Sequence, residues 1–178
     1  MVKMKFRLAD VCVAVALCSV FIRTAAAQQF PRLQEENLAR QQVVLPDAAS
    51  GKVAILVFGF TKASQNTTGA WMKRLEPDFG KSAGIALYQL PVLEEAPRIL
   101  HGMIVSGMKK GVAENLRPNF IPVMHNEAEL KKLVGYKEAD DAYIVVLDRS
   151  GAVAFQTHGA TPDANYAQLH TRVESLLK

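Results

Sequence analysis

The feature that most limits what this chain can become is the run V-A-I-L-V-F-G-F at residues 53–60. It is short, rich in β-branched and aromatic side chains, preceded by Gly51 and followed by the polar break T-K-A-S. A run that is apolar at nearly every position is a strand covered on both faces, as in a sheet with helices on either side. Such a strand hands its C-terminal end to a loop that opens a helix, and open α/β sheets carry their chemistry at that edge. Here that position holds Ser64, Gln65, Asn66 and Thr67.

Around this strand the rest of the chain falls into alternating elements. Residues 28–42 are polar, contain Pro31 and read as an extended lead-in to a domain spanning residues 43–178. Val43, Val44 and Leu45 make a short strand that Pro46 and Asp47 stop. The S-G-K at residues 50–52 is not a phosphate loop, because Pro46 stands where the upstream glycine is needed and Val53 where the Ser or Thr is. Past the central strand, Trp71, Leu75 and Phe79 recur four residues apart on one helical face that Gly80 ends, with Ser64 or Thr67 as its N-cap. Residues 85–90 are a second buried strand, closed by Pro91.

Ala96, Leu100, Met103, Ile104 and Met108 mark a further amphipathic helix ending by Gly111, and the spacing of its methionines reads as core packing rather than a metal cluster. Residues 120–124 read as an edge strand, since Pro122 cannot donate to a ladder. Asn126 and Glu129 resemble a capping box for a helix through Leu130, Leu133 and Val134, with Gly135 as its C-cap. Residues 143–147 and 153–155 flank D-R-S-G, a hairpin turn, and T-P-D at residues 161–163 starts a last helix. Alternating strands and helices demand right-handed crossovers. The expected fold is a three-layer α/β/α sandwich with a mixed, centrally parallel sheet and a C-terminal β-hairpin plus helix.

The first 27 residues have a different character. Lys3, Lys5 and Arg7 precede an apolar stretch at residues 11–22, and Ala25, Ala26 and Ala27 supply a small-residue cleavage site. This reads as a secretory signal peptide cut after Ala27, giving a periplasmic or secreted protein, with an uncleaved membrane anchor as the alternative. The segment holds Lys3, Lys5, Arg7 and Arg23 against Asp10, so the chain's net charge of +4 falls to about +1 without it. No basic block remains to bind nucleic acid. Both cysteines, Cys12 and Cys18, lie in the same segment. Residues 28–178 therefore have no disulfide, thiol redox centre or cysteine metal site of their own.

The pieces G-K before the core strand, F-G-F-T-K at its end, F-I-P-V-M-H-N before a short helix, and Y-I-V-V-L-D-R-S-G-A-V as the hairpin resemble thioredoxin-fold proteins of the peroxiredoxin and thiol-disulfide oxidoreductase kind. The stretches F-P-R-L-Q-E-E-N-L, V-V-L-P-D, F-G-F-T-K-A-S-Q, W-M-K-R-L-E, Y-Q-L-P-V-L and V-V-L-D-R-S-G further resemble the thioredoxin-like assembly-factor family of the mitochondrial ATP synthase, a membrane-sector chaperone, and its bacterial relatives. Active thioredoxin-fold relatives carry a CxxC motif where this chain has residues 64–67, and a cis-proline where it has Asp141, Ala142 and Tyr143. The resemblance implies a redox-inactive protein that binds a protein or peptide partner, in association with an envelope membrane complex. Ser64, Gln65, Asn66, Thr67 and Ala142 are the implied contact residues.

Other chemistry finds little support in the residues. Ser64 lacks a nucleophile elbow, so it reads as a cap rather than an acyl-transfer nucleophile. His101, His125, His158 and His170 have no ligand spacing, and His125 beside Asn126 is the one weak metal candidate. No cofactor is expected. The rival reading from another class is an enzyme on the same fold that binds a small molecule or metal without cysteine.

Overall fold

The computed structural model describes residues 28–178, so the signal-peptide reading of residues 1–27 lies outside the described part. The chain begins with a hairpin of β1 (Leu33–Glu36) and β2 (Gln42–Leu45). It continues through β3 (Val53–Gly59), α1 (Gln65–Phe79), β4 (Ile85–Pro91), α2 (Arg98–Gly111), α3 (Glu127–Val134), β5 (Tyr143–Leu147), β6 (Val153–His158) and α4 (Asp163–Leu177). The main sheet has the order β4-β3-β5-β6, and all seven residues of β3 are buried. That burial is the reason its sequence shows no alternation: side chains on both faces meet a covering layer.

One face of the sheet presents Val53, Ile55 and Val57 to Trp71, Leu75 and Phe79 of α1 and to Tyr166, Leu169 and Val173 of α4. The other presents Ala54, Leu56 and Phe58 to Leu130, Leu133 and Val134 of α3 and to Leu33 and Leu45 of the first hairpin. Three layers result, and the helical faces expected from i, i+4 spacing at α1 and α4 are the buried ones. Trp71 is fully enclosed and its indole N–H donates to the Gly159 carbonyl at 2.9 Å, so a core position also satisfies its one donor.

Several expectations change. The segment 28–42 is more than a lead-in, because Leu33–Glu36 pair with β2. Asn37 turns that hairpin: its side-chain oxygen accepts from the Ala39 and Gln41 amides at 2.9 and 3.0 Å, and its side-chain nitrogen donates to the Pro118 carbonyl. The sheet is mixed, with β3 and β4 parallel, but its central pair, β3 with β5, is antiparallel. The cause lies in the connection. β4 ends at Pro91 opposite Gly59, and β5 starts at Tyr143 opposite Phe58, so α2 and α3 return the chain to the edge it left and the next strand must run back. The strand expected at residues 120–124 makes two isolated parallel bridges, Phe120 to Gln89 and Val123 to Val92, with Pro122 interrupting donation between them.

Asn126 does not cap α3 with its side chain. It sits in the left-handed region at φ 66°, and the carboxylate of Glu94 accepts from the Glu127 amide at 2.5 Å instead. Gly135 does close α3 in the left-handed region, and Gly151 turns the β5–β6 hairpin at φ 84°. The largest departure is α2. Its apolar residues are at core spacing, yet none of its residues is buried; Ile99 is 90% exposed and Met103 66%. The helix has one apolar side facing a groove rather than a core.

Candidate functional site

β3 ends at Gly59, Phe60 follows, and Thr61, Lys62 and Ala63 lead into α1 at Gln65. The first turn of α1 packs so closely on the strand end that Gly59 has no room for a side chain: a Cβ there would lie 2.6 Å from Ser64 Oγ and 3.0 Å from Thr68 Cγ2. Phe60 is buried among Phe58, Tyr136 and Tyr143, with ring centroids 5.2 to 6.2 Å apart. It anchors the loop to the aromatic side of the core.

The loop is held by hydroxyls, though not in the way the sequence implies. Thr61 Oγ1 donates to the Ala139 carbonyl at 2.5 Å and accepts from the Ala63 and Ser64 amides at 3.1 and 3.4 Å, so Thr61 organises the helix start. Ser64 makes no side-chain cap; it is 1% exposed and its hydroxyl donates back to the Thr61 carbonyl at 2.8 Å. Thr67 donates to the Asp140 carbonyl at 2.8 Å, and Thr68 to the Gln65 carbonyl at 3.1 Å. The capping expectation for Ser64 and Thr67 is thus corrected, because both hydroxyls are spent on carbonyls of neighbouring turns. No histidine hydrogen-bonds to either hydroxyl among the described residues, so neither is paired with a base of the kind nucleophilic catalysis needs.

Of the residues expected at a partner surface, Gln65 and Asn66 are exposed, Thr67 is half-buried, and Ser64 and Ala142 are enclosed. Ala142 supports the site through its backbone, its carbonyl accepting from the Gly159 amide at 2.9 Å. His125 lies elsewhere, its exposed ring 3.1 Å from the buried carboxylate of Glu35, which also accepts from the Met124 and His125 amides. That carboxylate ties the first hairpin to residues 124–125. Among the described residues no group of three or more His, Cys, Asp or Glu side chains is arranged to hold a metal ion.

What sequence reasoning missed is the opposite wall. α2 stands across from the start of α1, and between them runs a groove of about 720 Å³. Met103, Ile104, Gly107 and Met108 line one side, Phe60, Thr61, Lys62, Ser64 and Gln65 the other, and Gln89, Pro91, Val92 and Phe120 the floor. The signal was present in Gly107 and Gly111, which break the apolar face of α2. A Cβ at Gly107 or Gly111 would meet nothing within 4 Å, so these glycines open space instead of allowing close packing.

The lip of the groove at Glu94 and Glu95 is fastened to α3. Glu127, 3% exposed, accepts from the Glu95 amide at 3.1 Å, and Lys131 Nζ lies 2.8 Å from both Glu95 and Glu127. Glu127 Oε1 takes no oriented hydrogen bond, its partner being that ammonium alone. Burial disfavours the Lys131 charge, but the two carboxylates outweigh it and push its pKa above the ordinary lysine range.

No family model and no curated protein sequence matches this chain. Solved structures do. One is a thiol:disulfide interchange protein of the DsbE type from Chlorobium tepidum, 19% identical, with a TM-score of 0.58 over 85% of this chain and 97% of that one. A second is BsSco, of the Sco family of cytochrome c oxidase assembly proteins, 12% identical, with a TM-score of 0.60 over 86% and 95%. A third is the exposed lipoprotein thioredoxin Etrx1 of Streptococcus pneumoniae, 12% identical, with a TM-score of 0.58 over 81% and 99%. The chain has the thioredoxin-like fold.

Proposed function

We propose that this protein is an exported, redox-inert member of the thioredoxin-like fold that captures a protein or peptide segment in the groove between α1 and α2. The observation that carries this reading is a substitution of roles at one place. At the edge where thiol chemistry operates in cysteine-bearing proteins of this fold, the Ser64 and Thr67 hydroxyls are spent on backbone carbonyls, beside a wide apolar groove. Residues 28–178 contain no cysteine, so the fold supplies neither an attacking nor a resolving thiol. What remains is a recognition surface without a reaction, and no enzymatic activity is assigned to it.

Two of the similar structures are described as a thiol:disulfide interchange protein and an oxidase assembly protein. Together with the resemblance to a membrane-sector chaperone, this favours a client in an envelope membrane complex and a periplasmic location. The test is site-specific photocrosslinking from Gln65 in the native envelope. One discrete adduct is expected, lost in Gly107→Trp, which fills the groove, and weakened in Asn66→Ala at unchanged Tm. Insulin reduction by the purified protein, or an adduct indifferent to Gly107→Trp, overturns the reading.

A further inference from the structure

The groove has a polarity along its length. Two charged side chains line it, Lys62 at the α1 end and Glu95 at the other. Glu95 shares Lys131 with Glu127, the ammonium lying 2.8 Å from each, whereas none of the ion pairs among the described residues involves Lys62. Lys62 is exposed and stands just before a helix of 15 residues whose first turn contains no acidic side chain. The uncompensated ammonium and the positive end of the α1 dipole therefore act in the same direction. Beyond them the walls are Met103, Ile104 and Met108, with Ile99 and Leu100 exposed further along α2.

We infer that the groove takes an apolar peptide segment bearing a carboxylate, the carboxylate meeting Lys62 and the amino end of α1 and the apolar residues lying against Met103, Ile104 and Met108. This rests on the peptide-capture reading above and adds the chemistry of the captured segment. Charge at the Lys62 end sets which segments are admitted and in which direction they lie, while the methionine-rich wall tolerates varied apolar side chains.

Two dansyl-labelled Leu- and Ala-rich peptides, one with Glu at both ends and one with Lys, test this by fluorescence anisotropy on the purified protein. The Glu peptide is expected to bind about tenfold more tightly at low salt, as opposite signs of a partly exposed pair and a helix-end contact allow. The preference should reverse in Lys62→Glu and vanish near 1 M salt, where the Debye length is about 3 Å. Equal binding of the two peptides, or a preference unmoved by Lys62→Glu, overturns the carboxylate inference alone, provided Gly107→Trp still abolishes binding. If Gly107→Trp leaves binding intact, the groove reading itself fails. Displacement of both peptides by oleate that itself binds more tightly would overturn a peptide in favour of a lipid. A concentration-dependent dimer abolished by Gly107→Trp would overturn it in favour of a second copy.

Discussion

Gly59 and Ser64 approach so closely that a methyl group on Gly59 would stand 2.6 Å from Ser64 Oγ. The contact decides where α1 begins relative to the end of β3, and therefore how wide the groove opens beside it.

Gly59→Ala forces Ser64 and Thr68 apart in a site with no slack. The expected cost is about 1–3 kcal/mol, the usual range for overpacking. Urea denaturation reads it directly. Gly59→Ala combined with Ser64→Ala should cost less than the two single changes together, because the shorter Ser64 side chain removes the nearest clash. Strict additivity would show that the contact does not govern the helix start.

Thr61→Val keeps the shape but removes the hydroxyl that accepts from the Ala63 and Ser64 amides and donates to the Ala139 carbonyl. A loss of about 1 kcal/mol is expected, as for the removal of a helix cap. Faster hydrogen exchange should be confined to residues 61–66 and 139–141. A change spread over the whole sheet would place Thr61 in the core rather than in the loop.

Met103→Ser and Ile99→Ser should leave stability within about 0.5 kcal/mol of the parent, as substitutions at exposed positions do. Both should reduce binding of the apolar dye ANS. A loss of about 2–5 kcal/mol in Met103→Ser, the range for truncating a buried methionine, would restore the core reading of α2.

Stability should decline on the alkaline side through two groups. Burial first, and then the hydrogen bond to Asp78 at 2.5 Å, raise the pKa of the Tyr166 hydroxyl above the ordinary value of 10.0. Lys131 is raised above 10.5 by Glu127 and Glu95 in spite of its desolvation. In both cases the folded state holds the proton more tightly than the unfolded state. Their contributions are therefore complete below the unfolded pKa values and are lost as pH rises through the folded ones. Melting curves between neutral pH and pH 11 should show Tm falling above about pH 10. The fall should be shallower in Tyr166→Phe and in Lys131→Met. At neutral pH Lys131→Met should cost roughly 2–3 kcal/mol, below the range for fully buried pairs because Lys131 keeps some solvent contact.

The wholly apolar β3, the four-residue spacing of Trp71, Leu75 and Phe79, and the glycine-closed hairpin at Gly151 were readable without coordinates. Each is a local pattern that burial on a known face requires. The helix at residues 98–111 misled for the same reason: apolar spacing reports that a face avoids water, not what covers it. Likewise Ser64 and Thr67 have the chemistry of caps, but Thr61 took that role. Which hydroxyl meets which amide depends on how the loop crosses residues 139–140.

By itself, then, the sequence determined the layers, the buried strand at the centre, the helix that follows it, and the absence of cysteine from residues 28–178. All of these are set by composition and period along the chain. Only the tertiary structure decided that β5 runs against β3, that Glu94 rather than Asn126 meets the start of α3, and that α2 stands off from the core beside α1. These depend on contacts between residues far apart in the chain, whose free energies no local pattern encodes.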